Sequence, residues 1–195
     1  MVAEALADRP SIWRGERVRL RAVEPDDWET YHAWNFDDEM TRNLWYPPLP
    51  QSREAGRRWA EAAAVAPHDG DNFRFAIASL ATGTVVGDLT TSRCDQRVGT
   101  FTYGIAISAA ERGRGYASEA IRLVLRYYFE ELRYQKAWVG VHSFNDASLR
   151  LHERLGFQLE GRQRRMVYTR GQFYDLLLLG LTAEELAARF GHSTG

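Results

Sequence analysis

The 195-residue chain predicts a mixed α/β domain: a central, mostly antiparallel sheet flanked by helices, with one parallel strand pair in its middle. Three observations predict it. Runs rich in β-branched and aromatic residues alternate with helical patterns in the order β-α-α-β-β-β-α-β-α-β-β-α. Three of those runs, "FRFAIASL" (73–80), "TVVGDLTTS" (84–92) and "GTFTYGIAIS" (99–108), follow one another across the turns "ATG" and "CDQRVG", as antiparallel neighbours do. A long amphipathic segment then separates 99–108 from "KAWVGVHSF" (136–144), which requires a right-handed crossover between parallel neighbours.

Each element has a local reason. "RVRLRAV" (17–23) alternates polar and apolar residues and reads as a strand with one buried face. "EPDDWETYHAWN" follows as one helix, with Pro25 in the first turn and Asp26, Asp27 and Glu29 at its positive end. "WYPPLPQS" (45–52) is proline-rich and reads as a loop, and Ser52 caps the helix "REAGRRWAEAAAVA". "PHDGDN" breaks the chain before the three-strand run. In "ISAAERGRGYASEAIRLVLRYYFEEL" (107–132), Ala117, Ala120, Ile121, Val124, Leu125, Tyr128, Phe129 and Leu132 share one helix face, which must pack on the sheet. "NDASLRLHERLG" is a helix with Asn145 as N-cap and Gly156 past its end. "FQLEGRQRRMVYTR" and "QFYDLLLLGL" form a hairpin across "RGQ", and "TAEELAARF" closes the fold as a short helix. The expected organisation is a loose tail over 1–12, one domain over 13–190 and a tail over 191–195.

Composition narrows the function classes. Hydrophobic residues are 45% and charged residues 26%, ordinary for a soluble globular domain. The formal net charge of -1 implies no general attraction to nucleic acid or to an acidic membrane. Cys94 is the one cysteine, so no internal disulfide forms, and a reducing cytoplasm is the expected location. No apolar run approaches the roughly 18 residues of a membrane span. The start "MVAEALADRP" lacks the basic and apolar regions of a signal peptide. The five histidines stand at 32, 68, 142, 152 and 192, without H-x-H or H-E-x-x-H spacing, so no metal is expected.

The stretch "RGRG" (112–115) opens directly into the long helix. Gly113 and Gly115 leave backbone N–H groups bare at the positive end of a helix dipole, an anion-binding arrangement. Arg112 and Arg114 oppose the dipole there, a conflict that a phosphate-bearing ligand removes. The other reading is a solvated basic turn, and the turn alone leaves both open. A Walker A loop is absent, and Ser118 stands where a dinucleotide-binding fingerprint needs its third glycine.

"RGRGYA" (112–117) resembles the Arg/Gln-x-x-Gly-x-Gly/Ala pyrophosphate loop of the GCN5-related N-acetyltransferases (GNAT), with Arg112, Gly115 and Ala117 at its motif positions. "NDASLRLHERLGF" (145–157) is similar to the family's Asn-x-x-Ser and Leu-Gly-Phe segment. "VRLRAVEPDDW" and "EGRQRRMVYTRGQFYDLLLLGL" resemble the branch with ribosomal-protein N-terminal acetyltransferases and spermidine acetyltransferases. The resemblance covers residues 16–182. It implies the GNAT fold, in which the parallel pair splays apart, and acetyl-coenzyme A (acetyl-CoA) as cofactor. The cofactor would be held by the backbone of Ile105, Ala106 and Ile107, by the loop Arg112, Gly113, Arg114, Gly115, Tyr116 and Ala117, and by Asn145 and Ser148. It implies N-acetylation of a small-molecule or peptide amine by direct attack, with no nucleic-acid or membrane partner, and it allows a homodimer.

Acetyl transfer needs a donor for the developing charge on the carbonyl oxygen and a proton for the departing thiolate. By resemblance, Ser148 is the first candidate to donate to the sulfur. Many members carry a tyrosine acid at position 152, where this chain has His152, one turn beyond Ser148. Two readings of His152 stay open, the acid or a hydrogen-bonded bystander. Asn145 is an N-cap by pattern and lies beside the cofactor arm by resemblance. The base is open among Glu160, Asp175, Asp88 and a water chain, because Thr100 and Thr102 stand where relatives often have a glutamate. Trp28, Tyr31 and Trp34 read as core, Cys94 as a turn residue, and Trp45 and Tyr46 as shaping the acceptor pocket. A non-catalytic acyl-CoA-binding sensor and a polyamine acetyltransferase are the alternative readings.

Overall fold

The computed structural model describes residues 11–44, 47–67 and 69–191. Strand β1 (Val18–Arg21) leads through a 3-10 turn, Pro25–Asp27, into α1 (Trp28–Trp34), α2 (Asp38–Leu44) and α3 (Arg53–Ala64). Then come β2 (Arg74–Ser79), β3 (Val85–Asp95), β4 (Thr100–Ile107), α4 (Tyr116–Arg126), β5 (Lys136–His142), α5 (Asp146–Leu155), β6 (Gln158–Thr169), β7 (Gln172–Thr182) and α6 (Ala183–Phe190). The sheet has seven strands in the order β1-β2-β3-β4-β5-β7-β6. Every neighbouring pair is antiparallel except β4 and β5. This is the expected mixed α/β architecture, with the crossover pair where the sequence puts it.

Local expectations differ in three places. The chain after α1 runs through "NFDDEM" into a helix that the expected element order lacks. This helix is α2, whose start is held by Asp37 Oδ1 accepting from the Met40 N–H at 2.9 Å. Cys94 lies on β3 rather than in a turn, because the strand continues past a register shift between Ser92 and Asp95. Its thiol donates to the Asp71 carbonyl at 3.4 Å, and burial pushes the thiol's pKa up, which suits an inert side chain. The long helix starts only at Tyr116 and ends in a single π turn over Tyr127–Glu131.

The face expected for α4 is the one that packs. Ala120, Ile121, Val124, Leu125 and Tyr128 are all at most 1% exposed and join Phe101, Leu89 and Ile77 of the sheet in one core. Phe101 stacks on Tyr128 at 4.2 Å between ring centroids. Tyr31 and Val23 close a smaller cluster with Ala76 on β2.

One contact fixes where α4 begins relative to the sheet edge. The Glu119 carboxylate, in the first turn of α4, accepts the backbone N–H groups of Glu16 (2.9 Å), Arg17 (2.8 Å) and Val18 (2.8 Å). It satisfies the entry of β1 and suits the helix dipole at the same time. Gly15 lies so close that a Cβ there would stand 2.4 Å from Glu119 Cδ. Glu119→Ala should therefore lower stability by about 2 kcal/mol, the order expected for charge-assisted bonds whose donors lose their partner. Chemical denaturation checks this, and an unchanged midpoint would show that the contact stabilises nothing.

Candidate functional site

The parallel pair explains the site. β4 and β5 are in register only over Thr100–Thr102 and Lys136–Trp138. Beyond that each strand keeps its outer neighbour, β4 against β3 as far as Ile107 and β5 against β7 as far as His142. The two strands therefore part, and a cavity of about 1210 Å³ opens between them.

At the open end lies the loop 112–115. Gly115 is the N-cap of α4 in a left-handed conformation (φ 83), and no side chain caps this helix start. Gly113 is also left-handed (φ 79), with open space where a Cβ would point. Here glycine is required twice, once for each backbone turn. Gly113, Gly115, Tyr116 and Ala117 line the cavity, as do Ile105, Ala106 and Ile107 on β4. Tyr116 contributes through its backbone, since its ring is buried and its hydroxyl lies 3.4 Å from Ser79 Oγ.

The arginines behave differently from one another. Arg112 lines the cavity, and its guanidinium pairs with Glu39 at 2.7 Å and lies 4.0 Å from Asp37. Arg114 is not on the cavity wall; it pairs with Glu111 at 3.3 Å. The charge conflict at the helix start is thus relieved by carboxylates of α2 and of the preceding turn.

The other wall is the start of α5. Asn145 caps it as expected, its side-chain oxygen accepting the Ser148 N–H at 3.1 Å. His152 is 2% exposed and follows one turn later. Its Nδ1 lies 2.8 Å from the Ser148 carbonyl and 3.3 Å from Ser148 Oγ. A carbonyl only accepts, so Nδ1 carries the proton. Two consequences follow. The Ser148 hydroxyl keeps its own hydrogen for another acceptor. His152 Nε2 is a bare lone pair, buried and without a partner among the described residues. Burial also lowers the His152 pKa, so the ring is neutral at neutral pH. As a proton donor His152 would need an imidazolium that this environment disfavours.

None of the three candidate bases lies on the cavity wall. Glu160 pairs with Lys136 at 2.5 Å. Asp175 accepts the Arg165 backbone N–H and pairs with Arg162, and these contacts lower its pKa. Asp88 pairs with Arg74 at 2.9 Å and accepts from the Tyr31 hydroxyl at 3.1 Å, while burial pushes its pKa up. Thr102 does line the cavity, beside Trp138. Trp45 and Tyr46 lie outside the described residues.

Several cavity residues carry no sequence motif. Glu39, Met40 and Asn43 arrive on the unforeseen α2, and Arg93 on the lengthened β3. Arg93 sits in a left-handed conformation (φ 50) with its guanidinium 5.5 Å from the centre of the Trp138 ring. Tyr103 faces the cavity from β4. Among the described residues no group of acidic, histidine and cysteine side chains could hold a metal ion, and no helix is long and apolar enough to cross a membrane.

A family model described as an acetyltransferase (GNAT) domain matches residues 17–158. The chain is 41% identical over 181 residues to the SPbeta prophage-derived uncharacterized N-acetyltransferase YokL of Bacillus subtilis (strain 168), covering 93% of this chain and 98% of that one. It is 24% identical over 160 residues to a spermidine N(1)-acetyltransferase of Escherichia coli (strain K12), covering 82% and 83%. The structure is similar to that of a spermidine N-acetyltransferase from Vibrio cholerae in complex with CoA and spermine, with a TM-score of 0.76, 20% identity, and 88% and 99% of the two chains covered. The splayed parallel pair, the glycine loop at a bare helix start and these matches together make the chain a member of the GNAT family of N-acetyltransferases.

Proposed function

We propose that this N-acetyltransferase uses acetyl-CoA and acetylates a primary amine by direct attack in a ternary complex. The observation that carries the reading is the parting of β4 and β5 towards a helix start with no capping side chain. A cavity edged by unpaired strand backbone and ending at bare N–H groups fits an extended ligand with an anionic end. When bound, acetyl-CoA supplies the activated thioester.

The chain's own residues divide the work. The N–H groups of 113–117 hold the diphosphate, and Arg112 adds charge once it lets go of Glu39. The backbone of Ile105, Ala106 and Ile107 aligns the arm and offers a donor for the carbonyl oxygen. Asn145 fixes the first turn of α5, and Ser148 turns its free hydrogen towards the sulfur end. With Glu160, Asp175 and Asp88 all engaged elsewhere, the amine proton leaves through water.

The acceptor reading follows from charge. Of the three carboxylates in "NFDDEM", Asp37 and Glu39 face Arg112, and Asp38 pairs with Arg42 at 2.8 Å. The remaining carboxylate on the cavity wall, Glu111, is held by Arg114. Arg93 brings a cation to the rim near Trp138. Once Arg112 lets go, Glu39 is the one carboxylate among the described wall residues left to a cationic acceptor, too few for a polyamine's several charges, which favours an acceptor with a single amine, such as a peptide N-terminus or a small amine. Trp45 and Tyr46 are proposed to give it aromatic contact.

Three outcomes test the reading. Gly113→Val should abolish calorimetric CoA binding while a thermal melt still shows a folded protein, and normal affinity would remove the loop from the site. In the same titration, Arg112→Ala should weaken binding more at low salt than at high salt, and Glu39→Gln should tighten it about two- to fivefold, because a competing carboxylate is gone. Second, Ser148→Ala should lower kcat with CoA affinity unchanged, as loss of a bond made mainly in the transition state does. A full kcat would take Ser148 out of the chemistry. Third, an acceptor panel should show acetylation of short peptides or small amines in preference to spermidine, with a raised acceptor KM in Trp45→Ala. Efficient spermidine acetylation without any single-amine activity would reverse the acceptor assignment.

A further inference from the structure

Three buried side-chain polar atoms lack a hydrogen-bond partner among the described residues, and two of them belong to neighbours on the cavity wall: Tyr103 Oη and His152 Nε2. Tyr103 is 6% exposed and His152 2% exposed. Their rings stack, with centroids 5.9 Å apart and planes at 27°. Phe157 packs edge-on against both, at 6.2 Å from Tyr103 and 5.0 Å from His152. An unpaired buried polar atom costs about 1–3 kcal/mol. Two such atoms, on rings that pack against one phenylalanine at the cavity wall, are the polar groups that a guest would engage through a small shift of the rings that bury them.

The chemistry of the pair is complementary. A phenol with no neighbouring base is a donor, and an imidazole protonated at Nδ1 is an acceptor at Nε2. Burial holds the Tyr103 hydroxyl protonated far above neutral pH. The position along β4 says which guest. Tyr103 follows directly on Thr100–Thr102, where β4 and β5 are still paired, and Ile107 lies four residues on, at the loop end. At about 3.3 Å per residue, Tyr103 is about 13 Å along the strand from Ile107. A ligand anchored by its diphosphate at 113–117 and running back along Ile107–Ile105 brings its reactive end to Tyr103.

We propose that Tyr103 is a further catalytic residue, donating to the departing sulfur beside Ser148, and that His152 is a positioning residue that holds the Tyr103 ring. This rests on the acetyl-CoA reading of the site. It also accounts for the missing tyrosine at position 152: the hydroxyl comes from β4 rather than from α5. As the amine nitrogen bonds to the acyl carbon, the C–S bond breaks and both its electrons go to sulfur. Tyr103 gives its proton to that sulfur. The surplus proton of the amine returns to Tyr103 through water, so the net change is one proton moved from nitrogen to sulfur and no further reactant is needed.

The test compares CoA with desulfo-CoA, which carries hydrogen in place of the thiol. By calorimetry the wild type should bind CoA about fivefold more tightly, and Tyr103→Phe should lose that preference while keeping its affinity for desulfo-CoA. Tyr103→Phe should lower kcat between about tenfold and 100-fold with acceptor KM unchanged. Free of ligand, Tyr103→Phe should melt no lower than the wild type, because an unpaired hydroxyl is removed and the ring stays. His152→Gln should reduce the preference for CoA only in part. A Tyr103→Phe variant that retains the preference and full kcat overturns the proposal, and so does a marked drop in its melting temperature, which would reveal a structural partner for Oη. A wild type that binds neither ligand overturns the acetyl-CoA reading itself, whereas tight binding without discrimination by sulfur overturns only this inference.

Discussion

The site depends on one break in the sheet's hydrogen bonding. β4 and β5 pair through three residues each and then diverge, although both continue as strands. Neither strand falls away, because each is fastened on its far side. β5 is in register with β7 along its whole length, and the Ser143 N–H extends the contact to the Asp175 carbonyl at 2.9 Å. β4 is held by β3, where Gly87 lets the backbone of Ala106 approach so closely that a Cβ would stand 2.5 Å from its carbonyl oxygen. Strand edges inside a protein need partners, whether protein, ligand or water, so the opening leaves the facing edges of β4 and β5 to water or to an extended ligand. The two helix starts at its mouth, of α4 and α5, face the same space and share that constraint.

Electrostatics tune the opening rather than create it. The arginines of the loop meet carboxylates supplied by α2 and by the turn before α4, so the bare N–H groups do not face an uncompensated cluster of cations. Exposed ion pairs of this kind contribute little stability and break readily. Such pairs suit a site where an incoming anion must displace one partner. The contrast with Glu119 is instructive. Its carboxylate lies in the same helix turn but is locked by three backbone N–H groups, and it serves the scaffold alone.

The residues that look reactive and are not are equally informative. Cys94 is packed beside Tyr128 and Asp71, and its thiol is held in the neutral form. The carboxylates considered as bases are tied into the hairpin or into the junction of α1 with β2 and β3. Beside the paired charges of its wall, the cavity carries a small set of neutral polar residues, Ser148, Asn145, Thr102, Tyr103 and His152, the kind of group that stabilises charge appearing during a reaction without carrying charge beforehand.

By itself the sequence determined the order of the elements apart from α2, the buried face of α4, the caps of α3 and α5, the parallel crossover and the glycine loop. Each of these is written in near neighbours: a period of 3.6 or 2, a Ser or Asn before an apolar run, a glycine where the backbone must turn left-handed. Tertiary structure decided the rest. That Arg112 meets Glu39 depends on α2, a helix too short to announce itself by periodicity, packing near β4. That Arg93 reaches Trp138 depends on a register shift that lengthens β3 and swings one side chain across to the ring. That Tyr103 joins His152 depends on a strand and a helix separated by most of the crossover, each placing an aromatic ring against Phe157. Such contacts lie between residues with no fixed spacing along the chain. Only the folded sheet, by parting at Thr102 and Trp138, brings them to one cavity.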